Sequence, residues 1–126
     1  MIARIFLLIT ALMYFAFGLW SITDPAGMTS RLGVEVGGVS GLFEMRGIYG
    51  GVSLGAGIFC LLGAIRTKLS FAALCFVATY MGGYIIGRTA SLIAGDSAQP
   101  SSWMFAGYEL VMALIALTLL LRQRPE

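Results

Sequence analysis

Four apolar runs, each about the 20 residues that carry a helix across a hydrocarbon core, occupy most of this chain: Arg4 to Ile22, Leu42 to Ala64, Leu69 to Ile93 and Ser102 to Leu121. A backbone in hydrocarbon must satisfy its own hydrogen bonds, so runs of this length are helices. With 126 residues, 59% of them hydrophobic and 11% charged, little sequence remains for a soluble domain. The expectation is an all-α integral membrane protein, an antiparallel four-transmembrane-helix bundle forming a single domain over residues 1–126.

Arg4 ahead of an apolar stretch invites comparison with a secretory signal. The stretch from Ile5 to Ile22 is longer than a signal core, and Trp20-Ser21-Ile22-Thr23 is no small-x-small processing site, so it reads as a retained anchor. Arg4, the Arg66 and Lys68 pair, and Arg122 with Arg124 all fall on one side of four crossings. The positive-inside rule makes that side cytoplasmic, with both termini on it. The opposite side carries Asp24, Arg31, Glu35 and Asp96. This asymmetry accounts for the net charge of +2 and gives no reason to expect nucleic acid as a partner.

The chain has no histidine and two cysteines, Cys60 and Cys75, which flank the turn between the second and third runs. They form no Cys-x-x-Cys motif and read as ordinary packing residues. Haem bound through His and zinc sites of the His or Cys type are not expected, and neither is any other cofactor.

Against this apolar background stand Glu44, Arg46, Arg88 and Glu109, each inside a run. An isolated charge at a bilayer centre costs about 2.5–3.5 kcal/mol, so such groups face one another or a wet cavity. Residues equally far from a short turn lie at equal depth, at about 1.5 Å per residue. That rule puts Arg46 level with Arg88 and Arg88 level with Glu109, in the half of the membrane away from the cytoplasm. Tyr49, Tyr84 and Tyr108 fall in or beside this layer, and Trp20 and Trp103 mark the outer boundary of the span.

At about 100° per residue, Glu44 shares a face of the second helix with Gly47, Gly51 and Gly55, while Arg46 and Tyr49 lie nearly opposite. The Gly47, Gly51, Gly55 stripe and the Gly83, Gly87 pair are expected to be ridges for close helix packing. Tyr80, Tyr84, Arg88 and Ser91 form one polar stripe on the third helix. Arg46, Arg88 and Glu109 are therefore the expected core of a site and the candidate catalytic groups. Tyr49, Tyr84, Tyr108 and Glu44 are candidate substrate-binding groups, with Glu44 in a separate capping or anchoring contact. In the first loop Pro25 should end the first helix and Asp24 should cap a turn. The Gly-studded segment beyond, to Gly41, is either a lid over the polar layer or a flexible connector.

The strings Glu44-Met45-Arg46-Gly47-Ile48-Tyr49-Gly50-Gly51, Gly87-Arg88-Thr89-Ala90-Ser91-Leu92 with Gly95-Asp96 and Pro100, and Tyr108-Glu109-Leu110 resemble the bacterial family catalogued as domain of unknown function 4345. The chain is more distantly similar to DoxX-like four-helix membrane proteins. The resemblance implies the four-helix architecture, a bacterial inner membrane and the importance of Glu44, Arg46, Tyr49, Arg88 and Glu109; it brings no activity with it.

Three functions fit these residues. A non-catalytic module would use the ion pairs to fix helix register and would bind a small amphiphile or a partner membrane protein. A membrane-embedded acid/base enzyme, an isomerase, cyclase or hydrolase, would use Glu109 as proton donor or acceptor on an isoprenoid, quinone or lipid. A proton- or ion-coupled transporter would need an oligomer, and no inverted repeat is evident. The expected partners are membrane lipids, a small amphiphilic ligand, and a homo-oligomer or larger membrane complex.

Overall fold

The computed structural model describes residues 1–123 and contains α1 (Ile2–Thr23), α2 (Pro25–Arg31), α3 (Gly38–Met45), a π-helical stretch (Arg46–Gly51), α4 (Val52–Ile65), α5 (Thr67–Ala94) and α6 (Pro100–Arg122), with no strand among the described residues. Arg124 lies outside the described residues. Four stretches are long and apolar enough to cross a membrane: Ile2–Thr23, Gly38–Ile65, Thr67–Ala94 and Pro100–Arg122.

The helix ends follow from local chemistry. Asp24 ends α1 and caps α2, accepting a hydrogen bond from the Gly27 amide at 3.0 Å, with Pro25 in the first turn, where its missing N–H is not needed. Gly95 closes α5 in the left-handed conformation (φ 92°), which lets the Gly95 and Asp96 amides reach the carbonyls of Leu92 and Ser91. Pro100 opens α6. Of the first loop, a large part is helical: α2 forms within it, and the second span begins at Gly38 rather than Leu42. Glycine lowers helix propensity by about 1 kcal/mol without forbidding the conformation, so the span continues outward through Gly41.

The core gathers Leu7 and Ala11 of α1, Ala56 and Cys60 of α4, Leu74, Val77 and Met81 of α5, and Met112 and Ala116 of α6. Helices α1 and α4 pack with opposite chain direction. Arg4 donates to the Ala64 carbonyl at 2.6 Å, Gly18 lies against Leu54 and Gly50, and Arg46 donates to the Ile22 carbonyl at 3.0 Å. Each arginine thus meets a carbonyl in the last turn of the other helix, where cations are favoured.

The glycines that permit close approach differ from those expected. Cβ atoms at Gly18, Gly50, Gly57 and Gly63 would press on the neighbouring helix, whereas nothing lies within 4 Å of one at Gly47, Gly55, Gly83 or Gly87, and Gly51 meets only the Arg46 carbonyl of its own turn. The expected ridge Gly47, Gly51, Gly55 is an exposed face. The division of the helix into faces holds: Glu44, Gly47, Gly51 and Gly55 are all exposed, while Gly50, Ser53 and Gly57 on the other face are buried. What differs is which face packs, since the glycine stripe points outward and the inward residues are Ser53, Ala56, Gly57 and Cys60. From Arg46 to Gly51 the hydrogen bonds close one residue further along than in an α-helix.

Candidate functional site

Between the α1/α4 and α5/α6 pairs lies a cleft of about 940 Å³, lined from α1 by Met13, Tyr14 and Phe17, from the second span by Tyr49 and Ser53, and from α5 and α6 by one face of each helix, between Thr79 and Arg88 and between Ser102 and Glu109. Its walls are largely apolar and aromatic. Tyr80 faces Tyr14 edge-on at 6.2 Å between ring centroids, Phe17 meets Tyr49 and Phe105 in the same manner at 6.3 Å each, and the Tyr80 and Tyr84 hydroxyls are 3.3 Å apart.

One end of this cleft is ionic. Arg88 grips Glu109 with two parallel hydrogen bonds, Nε to Oε2 at 2.5 Å and Nη2 to Oε1 at 2.7 Å. The fork matches the carboxylate in plane, the strongest pairing these groups make. The Glu109 side chain is 8% exposed and that of Arg88 is 34% exposed. Two of the five guanidinium N–H donors suffice for this pair, and Arg88 keeps the others for a further acceptor.

The layer inferred from depth is thus partly assembled. Arg88, Glu109, Tyr49, Tyr84 and Tyr108 all line the cleft. Arg46 does not: it is exposed and ties the end of α1 through the Ile22 carbonyl, so it is not part of the site core. Glu44 is exposed on α3, also off the cleft, with no ion-pair partner among the described residues. Glu44 shares the exposed face of Gly47, Gly51 and Gly55, and Arg46 reaches the neighbouring α1 in place of the cleft. Ser91, the outermost member of the α5 stripe, turns instead to Asp96 at 2.5 Å in the cap that follows.

Gly83 and Gly87 line the cleft and have open space where a side chain would stand. They widen the cavity; they do not seat a helix. Leu32 and Val34, from the connection between α2 and α3, form part of the cleft lining. That connection is fastened to the start of α6: Gln99 Nε2 donates to the Arg31 carbonyl at 2.8 Å and Ser101 Oγ to the same oxygen at 2.6 Å. The loop is a tethered cover over one part of the cleft, closer to the lid than to the connector.

Tyr14, Phe17, Tyr80 and Phe105 were not among the candidates. A signal for Tyr14 was present: it precedes Trp20 by as many residues as Glu109 follows Trp103, so equal distance from the two interfacial tryptophans puts both at one depth.

Neither the curated proteins nor the solved structures contain a match to this chain. The family model "Domain of unknown function (DUF4345)" matches residues 2–120, which takes in every helix that builds the cleft, and the chain belongs to that family.

Proposed function

We propose that this chain is a multi-pass membrane protein of four antiparallel spans that binds a small amphiphile in the cleft between its helix pairs. The observation that carries this is the cavity's own polarity: about 940 Å³ of mainly apolar and aromatic wall with the Arg88–Glu109 pair at one end. Concave apolar pockets with a few fixed polar groups are the usual form of a small-molecule site. Membrane residence is supported by the outer surface, where Ile5, Leu12, Ile86, Leu110, Leu114, Leu121 and many other large apolar side chains are exposed on all four long helices. Isolated soluble domains rarely expose apolar area on that scale. Arg4, Arg66, Lys68 and Arg122 cluster at one end by chain order, which supports a cytoplasmic location for that end and a cleft whose ionic end opens towards the far side of a bacterial inner membrane.

Proton transfer by Glu109 is disfavoured by its geometry. Both carboxylate oxygens are engaged by Arg88, which leaves neither free to face a substrate. The pair then serves to hold α5 against α6 and to offer the remaining Arg88 donors to a ligand headgroup.

Photo-crosslinking tests this reading. In lipid nanodiscs, a diazirine-bearing long-chain alcohol is expected to label residues 79–88 and 102–109 preferentially. Gly83→Leu, whose Cβ would have no protein atom within 4 Å, is expected to reduce that labelling at least fivefold while leaving labels on the outer surface unchanged. Labels spread evenly over the exposed faces of α1 and α6, with no response to Gly83→Leu, would refute it.

A further inference from the structure

Tyr14 presents a polar group that the ion pair does not explain. The residue is 6% exposed, lines the cleft, and carries a buried hydroxyl with no hydrogen-bond partner among the described residues. Buried tyrosine hydroxyls ordinarily find a partner, because an unpaired one keeps the full cost of losing water. The titratable groups around it are Tyr108, Cys60, Tyr80 and Tyr84, all uncharged in their ordinary neutral-pH forms. The cleft therefore holds two polar features of different kind, an ionic one at Arg88 and Glu109 and a neutral one at Tyr14.

We infer that Tyr14 is a second binding point of this cleft, donating a hydrogen bond from its hydroxyl to an uncharged carbonyl oxygen of a planar, ring-bearing ligand. This rests on the cleft being a ligand site, as proposed above. A phenol is a stronger donor than acceptor because its oxygen lone pair is shared with the ring, so the complementary group is an acceptor. The groups around the hydroxyl offer no cation to offset the desolvation of an anion, which favours an uncharged acceptor there. A flat ring suits the walls, since Phe17, Tyr80 and Tyr84 present aromatic faces and edges to the same space. Met13 and Met81 also line the cleft; their flexible thioether chains can shift rotamer to let a seated ligand reach the hydroxyl.

The test uses the intact protein in nanodiscs with three probes: 4-dodecylacetophenone labelled with carbon-13 at the carbonyl, dodecylbenzene, and 4-dodecylbenzoate. With wild-type protein the ketone is expected to show a second carbonyl stretching band at lower frequency than the lipid-dissolved band. Tyr14→Phe, which removes only the hydroxyl, should abolish that band and weaken ketone binding about five- to tenfold, the worth of one hydrogen bond. Dodecylbenzene should bind both proteins equally, and so should the benzoate, whose carboxylate is matched by Arg88 and not by Tyr14. Tyr14→Phe should also keep or raise the unfolding midpoint of ligand-free protein, which confirms that the fold is intact. Equal ketone affinity and an identical spectrum in both proteins would overturn the inference while leaving the cleft a binding site, as would a loss of benzoate binding in Tyr14→Phe that matches or exceeds the loss of ketone binding. Failure of both ketone and dodecylbenzene to bind wild-type protein would overturn the cleft as a site and Tyr14's role with it.

Discussion

Arg88→Met is expected to destabilise the protein by about 3–5 kcal/mol, because it strands the Glu109 carboxylate in a position where its side chain is 8% exposed. Glu109→Met should cost less. The cation it leaves behind is 34% exposed on a long flexible stem and can move its guanidinium towards a wetter place. The double variant Arg88→Met with Glu109→Met should recover most of the loss, since apolar groups of similar volume replace a buried pair at little net cost. Denaturant or thermal unfolding of the gently solubilised protein in a double-mutant cycle measures this. The two single changes should fail to add by roughly 2–3 kcal/mol. Additive effects, or an Arg88→Met protein as stable as wild type, would show that the pair does not hold α5 to α6.

Gly63→Leu is expected to destabilise the protein by a different route. A side chain there would meet Ala73 Cβ, which is fixed to the α5 backbone, together with Leu7 and the Leu69 carbonyl. The helices must separate to admit it, at a cost of about 1–3 kcal/mol or more. Gly55→Leu is the control on the same span: its Cβ would meet nothing, and replacing a mid-helix glycine should stabilise the helix by roughly 0.5–1 kcal/mol. Unfolding midpoints of the two variants should therefore move in opposite directions. A Gly55→Leu protein that loses stability in step with Gly63→Leu would mean that the open Gly47, Gly51, Gly55 face is covered in the folded protein, as by a second copy of the chain.

These contrasts show where sequence reasoning reaches and where it stops. Run length alone located the four long helices, because the apolar content of a span is a bulk property that no local detail overturns. The Arg88–Glu109 pair was legible because α5 and α6 are joined by a tight, capped turn, which makes distance from the turn a measure of depth. Arg46 was misplaced because its face of the second span borders more than the cleft: Tyr49 and Ser53 line the cleft, whereas Arg46 turns to the end of α1. The Gly-x-x-x-Gly stripes carried no information on what lies opposite them: Gly63, in no such stripe, makes the close approach, whereas Gly83 and Gly87 open the cleft. Tyr14 escaped notice because a tyrosine in an apolar run is compatible with packing; equal depth with Glu109 hints at it, and its buried hydroxyl, with no partner among the described residues, distinguishes it.

The central claim is that the cleft holds a small molecule in the membrane, and native mass spectrometry of protein purified in mild detergent tests it most directly. Wild-type protein is expected to carry an added mass of small-molecule size, retained at low collision energy and depleted in Gly83→Leu. A wild-type spectrum with no retained small molecule, or equal retention in both proteins, would contradict it.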